Sequence, residues 1–240
     1  MKIARTQTPD GIVTGTYENG SLRSQQGVYE IGPDANLLAP VSPSTLYCVG
    51  RNYMSTNDLM DYEHPTEPDF FIKPCVAAHP PESPIPYPTF SNEVTYAGEL
   101  AAVVGEKCRN VSPDDVEEML RGYTIMNDVD ALDQDGRTAR KAFDGSAPLG
   151  PWIETDINPI NINIQTLING EERQRSNTES MLFNPHDVVS YLSERLTLLP
   201  DDVIAFGSPA NPGLIEPGDE IEITYEGIGT LRNTVETQEP

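Results

Sequence analysis

Glu99-Leu-Ala-Ala-Val-Val-Gly105 is a nearly unbroken apolar run that stops at a glycine. A run of this length with no polar residue alternating through it fits a strand buried on both faces of a sheet. The strand pattern recurs on either side of it. Thr45-Leu-Tyr-Cys-Val-Gly50 lies upstream, and Tyr123-Thr-Ile-Met-Asn-Asp-Val-Asp130 follows downstream. Asp202-Val-Ile-Ala-Phe206 and Glu220-Ile-Glu-Ile-Thr-Tyr225 repeat it near the end of the chain. Residues 160–168 alternate apolar and polar side chains, and Asn169-Gly170 supplies the turn of a hairpin. Two stretches predict helices. Ser112 is placed to cap the first, with Pro113 in its first turn and acids behind it; residues 184–196 form the second, with Val188, Val189, Leu192 and Leu196 at helical spacing. The prolines of residues 65–88 predict an extended, irregular path. Strands dominate, helices are few and no βαβ repetition occurs, so the fold class is α+β. Residues 1–44 read as a small β-rich segment, 45–235 as the main domain and 236–240 as a tail.

Charge limits the partners. Thirty-eight acidic side chains stand against fifteen basic ones, a formal net charge of −23. Such a field repels phosphate backbones and anionic membranes, which excludes nucleic acid and lipid as expected partners. The acids are dispersed and lysine is confined to Lys2, Lys73, Lys107 and Lys141, a pattern suited to a salt-rich cytoplasm where screening weakens self-repulsion. There is no apolar run of spanning length and no secretory leader after Met1, so the expected location is cytoplasmic. Cys48, Cys75 and Cys108 lack a CxxC spacing and read as reduced core or near-core thiols.

Four segments, in order, resemble the fumarylacetoacetate hydrolase family. They are Tyr47-Cys-Val-Gly-Arg-Asn-Tyr53 with Pro65-Thr-Glu-Pro-Asp-Phe-Phe-Ile-Lys-Pro74; residues 96–105 around Glu99-Leu100; Gly122-Tyr-Thr-Ile-Met-Asn-Asp128 with Lys141-Ala-Phe-Asp144 and Ala147-Pro-Leu-Gly-Pro-Trp152; and the stretch from Asn169 through Gly207-Ser-Pro209 to Asn233. The resemblance implies a mixed β-sandwich roll, a homodimer, and a site that holds Mg²⁺ or Mn²⁺ and polarises a small anionic 2-oxo or 1,3-dicarbonyl acid. It also assigns positions. Glu99 and Asp128 match metal ligands, Arg51, Tyr53 and Lys141 match substrate-binding positions, and Lys141 and Ser208 are the surviving groups available for catalysis.

The departures are as informative. The family's Glu-x-Glu pair reads Ala97-Gly-Glu99, so one ligand is missing. Asp130 either restores a third carboxylate or pairs with Arg137 or Arg140. The family's His–Glu dyad falls on Thr56 and Leu59, neither of which can act as a base near neutrality. His64 and Glu63 lie in the same loop, whereas His79 and His186 read as exposed. The substrate-clamping arginine and glutamine are Leu132 and Asp135. Lys141 then either holds an anion or forms an ion pair with Asp128 or Glu99 in an emptied metal pocket. The expectation is a divergent member with a degenerate site and without the usual hydrolase activity. The alternative is a metal-dependent decarboxylase, tautomerase or hydrolase of a small 2-oxo acid or acylpyruvate.

Overall fold

The computed structural model describes residues 1–32, 36–59, 61, 63–210 and 213–238. The last two residues of the expected 236–240 tail thus lie outside the described residues, and Glu236 and Thr237 continue the Gly229–Thr237 strand. Among the described residues, one sheet gathers twelve strands. Its main path runs Gly27–Glu30, Ser21–Ser24, Gly11–Glu18, Lys2–Thr8, Ala147–Glu154, Leu120–Asn127, Gly98–Val104, Val203–Ala205, Thr45–Gly50 and Asp69–Pro74. A five-stranded sheet contains the predicted hairpin Asn163–Ile168 and Glu171–Asn177, with Glu220–Tyr225, Gly229–Thr237 and Ile85–Tyr87.

The Gly98–Val104 strand is the central one that its apolar run predicts. Every residue in it is buried. Successive side chains point to opposite faces, which fixes two cores at once. Leu100, Ala102 and Val104 enter the larger core with Ile164, Ile223 and Val189. Ala101 and Val103 enter the other with Leu46, Cys48 and Ala205. The short side chains of Ala101 and Ala102 let both neighbouring layers pack close to this strand. Ala4, Val13, Leu22 and Leu37 form a third cluster in the N-terminal segment, covered by Trp152. This segment joins the large sheet through Lys2↔Glu154 and Ile3↔Ile153.

The helices follow their capping chemistry. Asn184 accepts from the Asp187 amide and Pro185 opens the helix Pro185–Arg195, whose Val188, Val189 and Leu192 are buried. Around Ser112 the structure corrects the sequence reading. A single 3₁₀ turn, Pro113–Asp115, leads into a four-residue helix, Val116–Met119. The Ser112 hydroxyl donates to the Asp115 carboxylate at 2.7 Å and caps no backbone amide, so the helix start lacks the N-cap bond expected of it. The cysteines also separate. Cys48 and Cys108 are buried, but Cys75 is exposed, because it sits in a 3₁₀ turn beyond the edge strand Asp69–Pro74.

Candidate active site

The end of the central strand and the turns beside it enclose a cavity of about 770 Å³. Its inner end is built from three backbone segments. The Asn52 side chain ties two of them together: its amide donates to the carbonyls of Phe183 (3.0 Å) and Phe206 (2.9 Å), and its oxygen accepts from the Phe183 amide (2.9 Å). Beside it, Gly207 adopts φ +85°, and an added Cβ would stand 2.8 Å from the Val49 carbonyl oxygen. Only glycine fits that approach. The reward is an aimed donor, since the Gly207 amide reaches Glu99 Oε2 at 2.9 Å.

Glu99 is 4% exposed. Burial first, and then the charge of Asp128, push its carboxyl up to about 8, so it holds a proton at neutral pH. Asp128 behaves oppositely. Burial pushes it up, but Lys141 and Lys73 more than offset this and hold it below the usual carboxylate range. The reason is visible in the geometry. Lys73 Nζ donates to Asp128 Oδ1 at 2.5 Å, and Lys141 Nζ donates to Oδ2 at 2.5 Å. Lys73 is completely buried and completes its three bonds with the carbonyls of Val129 (2.8 Å) and Ser146 (2.6 Å). Burial lowers the Lys73 ammonium despite its partner, whereas for Lys141 the charges of Asp128 and Asp130 outweigh burial and raise it.

The open alternatives for Asp130 and Lys141 now have structural answers. Asp130 accepts a bidentate pair from Arg140 (2.9 and 2.6 Å), and its Oδ2 lies 3.1 Å from Lys141. In this arrangement Asp130 takes the arginine pairing, one of its two expected alternatives, and does not complete a chelate with Glu99 and Asp128. Among the described residues, no three Asp, Glu, His or Cys side chains converge as a metal site. Both Asp128 oxygens already face ammonium groups, and a divalent ion 2.0–2.6 Å from either would sit against a lysine. In this arrangement the residues do not fit Mg²⁺ or Mn²⁺.

Most of the sequence-predicted positions do meet. Thr56 and Leu59, at the dyad positions, line the cavity along with Ala97, Leu132 and Ser208. Thr56 donates to the Ser208 carbonyl at 3.0 Å. Arg51 also lines it, but its guanidinium is held by Asp69, which accepts from Arg137 as well. Tyr53 is the exception among the substrate-binding candidates: it is fully buried in the larger core and does not line the cavity. Nor do His64, Glu63 and Asp135. The His64 ring is half-exposed and lies 3.2 Å from Asp58. His79 and His186, expected at the surface, are both partly covered. Burial lowers His79, and His186 reaches Glu117 at 2.7 Å.

Two residues of the site carried no role in the sequence reading. Lys73 was only part of the Phe-Ile-Lys-Pro segment, and its one signal was a lysine inside an otherwise apolar strand. Gln174, buried beneath the turn, donates to the Pro209 carbonyl at 2.8 Å and to the Ser208 hydroxyl at 3.3 Å, which orients that turn.

Comparison with known proteins agrees with this architecture. Residues 45–236 match the family described as Fumarylacetoacetate (FAA) hydrolase C-terminal. The crystal structure of a 5-carboxymethyl-2-hydroxymuconate delta-isomerase from Mycobacterium smegmatis superposes with a TM-score of 0.90 at 38% identity, covering all of both chains. An uncharacterized protein from Archaeoglobus fulgidus is 41% identical over 93% of this chain and 91% of its own. The rat mitochondrial protein named oxaloacetate tautomerase Fahd2a is 33% identical over 82% of this chain and 68% of its own.

Proposed function

Because the chain belongs to the fumarylacetoacetate hydrolase family, we propose that it is a proton-transfer enzyme, a tautomerase or isomerase of a small 2-oxo acid, that has lost the family's water-activating route. The observation that carries this reading is the pairing at the cavity floor: a buried, protonated Glu99 carboxyl and the Lys141 ammonium face one space that, among the described residues, no histidine lines. Hydrolysis of a carbon–carbon bond needs a base to activate water, and Thr56 and Leu59 stand where such a base belongs. Tautomerisation needs less. It needs one group to carry a proton to or from the carbon beside the ketone, and one positive charge where the enolate oxygen develops.

Glu99 and Lys141 supply these two functions. In the enol-to-keto direction, the enol hydroxyl gives its proton to water and the ammonium of Lys141 balances the enolate oxygen. Glu99 then donates its proton to C3 as the C2–C3 π electrons form the new C–H bond and the carbonyl re-forms, and solvent returns a proton to Glu99. In reverse, ionised Glu99 removes the C3 proton, charge collects on the 2-oxo oxygen, and the ammonium of Lys141 balances it until that oxygen is protonated. The relatives named as an isomerase and a tautomerase support the reaction class.

The test is the decay of oxaloacetate enol absorbance, together with deuterium incorporation at C3 followed by NMR. Wild-type protein should accelerate both, with the same rate in EDTA as in added Mg²⁺ or Mn²⁺. Glu99→Gln should lose at least 100-fold. Acceleration that appears only with the metal would overturn the metal-free route, and absence of acceleration under every condition would overturn the reading itself.

A further inference from the structure

We propose that Asp130 is a positioning residue for the reaction, and that with Arg140 it clasps the helix Arg137–Lys141 so that the Lys141 ammonium stays at the cavity floor. The proposal rests on the proton-transfer reading above and names what holds its positive charge in place. The helix cannot hold itself. It has five residues, Arg-Thr-Ala-Arg-Lys, and none of them is fully buried. A helix this short is unstable alone, and helices in proteins owe most of their stability to a packed apolar face. This one has no such face, since its single apolar residue, Ala139, is exposed. It opens after Gly136, which has φ +82°, and gives way to Ala142 after little more than one turn.

What holds it is charge. Arg137 pairs with Asp69 on the edge strand, and Arg140 and Lys141 both pair with Asp130. These pairs differ in their surroundings. The Arg137 and Asp69 side chains are 47% and 25% exposed, and a pair so open to water contributes little. The Asp130 side chain is 8% exposed, and Arg140 meets it through two hydrogen bonds, a geometry that fixes the guanidinium and with it the end of the helix. The next residue in the chain is Lys141. Its ammonium donates to Asp128, and the Asp130 carboxylate stands 3.1 Å away. Two carboxylates thus act on one ammonium, and of the two Asp128 must also serve Lys73. A lysine stem is flexible, so without Asp130 and a fixed helix end the charge spreads over several positions. A developing enolate is stabilised by a charge already aimed at it, and a misplacement of about 1 Å costs on the order of 100-fold in rate.

Asp130→Asn keeps the shape of the side chain and removes its charge. It should lower kcat for C3 deuterium exchange in oxaloacetate about tenfold and leave KM within about twofold, because the enolate develops only after binding. In a Lys141→Met background the same substitution should lower the residual rate no further, since the group it positions is gone. Trace acetylation of the intact protein, read by mass spectrometry, follows the amine without turnover. Relative to the exposed Lys107, Lys141 should label about threefold faster in Asp130→Asn than in the wild type, while the buried Lys73 stays unlabelled in both and reports an intact floor. Arg140→Gln breaks the clasp with both carboxylates in place and should raise Lys141 labelling in the same direction, so the test stands even if Asp130→Asn does not fold. Unchanged Lys141 labelling overturns the proposal, as does a loss of rate that multiplies with that of Lys141→Met. The two readings fail separately: absence of exchange in the wild type sinks the proton-transfer chemistry and leaves labelling to decide the clasp, whereas exchange that Asp130→Asn leaves untouched sinks the clasp alone.

Discussion

Replacing Lys73 by methionine isolates the ion pair on which the cavity floor depends. Methionine preserves most of the stem volume, so packing changes little and the loss is electrostatic. The variant leaves Asp128, 3% exposed, with Lys141 as its remaining charged partner, and takes the donor from the Val129 carbonyl. Ser146 is affected less, because its carbonyl still accepts from the Val129 amide at 3.0 Å. Removing one partner of a buried pair costs about 3–5 kcal/mol. An orphaned carbonyl adds about 1–3 kcal/mol. Lys141 retains about half of the attraction on Asp128, which brings the expected loss to about 3–5 kcal/mol. For a chain of this length that is a fall in Tm of roughly 10–20 °C. Urea unfolding at fixed protein concentration, followed by tryptophan fluorescence and circular dichroism, reads the same loss in the midpoint. The double variant Lys73→Met, Asp128→Leu should recover part of it, because both buried charges are then gone. A single variant that loses less than about 1 kcal/mol would refute the argument, since Asp128 would then be stable without the amine.

Two further outcomes follow from the same floor. Glu99 has a folded-state pKa of about 8, above its ordinary value, so the folded state binds more protons than the unfolded one between those limits. Its contribution to stability is therefore fully present at acid pH and is lost as pH rises through about 8; in Glu99→Gln, the decline of Tm between pH 5 and pH 8.5 should flatten. Gly207→Ala forces a side chain into a left-handed conformation with its Cβ 2.8 Å from the Val49 carbonyl oxygen, and should cost about 2–4 kcal/mol in urea denaturation and lower the tautomerisation rate by turning the Gly207 amide away from Glu99.

The strand frame was readable because burial leaves a pattern. The continuous apolar run before Gly105, the Asn169-Gly170 hairpin and the helical spacing after Asn184 each carry their own periodicity, and each appears where its pattern places it. The family spacing also brought Ala97, Glu99, Leu132, Lys141 and Ser208 to one cavity. What stayed hidden was partner choice. A lysine is exposed by default, so nothing local marks Lys73 as buried until Asp128 is known to lie opposite. Asp130 could face an ion or an arginine with the same sequence, and only the helix Arg137–Lys141 decides between them by placing Arg140 in reach. Tyr53 lies in the core and away from the cavity for a similar reason. The backbone turns at Arg51, which has φ +57°, and the bonds of Asn52 anchor the next residue against the core, which carries the tyrosine inward.

The alanine at position 97 makes chemical sense only together with the lysines. A glutamate there would add one negative charge to a floor that already holds Asp128 and Glu99, and an anionic substrate could then approach only if a divalent ion bridged the two. Alanine removes that carboxylate and the bridge's third ligand in one change. The charge left on the floor is set by Lys73 and Lys141 against Asp128, with Glu99 kept protonated by burial, and it is positive without any ion. A surface carrying −23 overall would otherwise repel a small acid. Enclosure by low-dielectric walls lets the local surplus prevail at short range, while salt screens the surface charge beyond about 10 Å at 0.1 M. On the proposed route a floor of this kind holds a carboxylate and moves a proton, so that the loss of a ligand and a dyad narrows the chemistry instead of ending it.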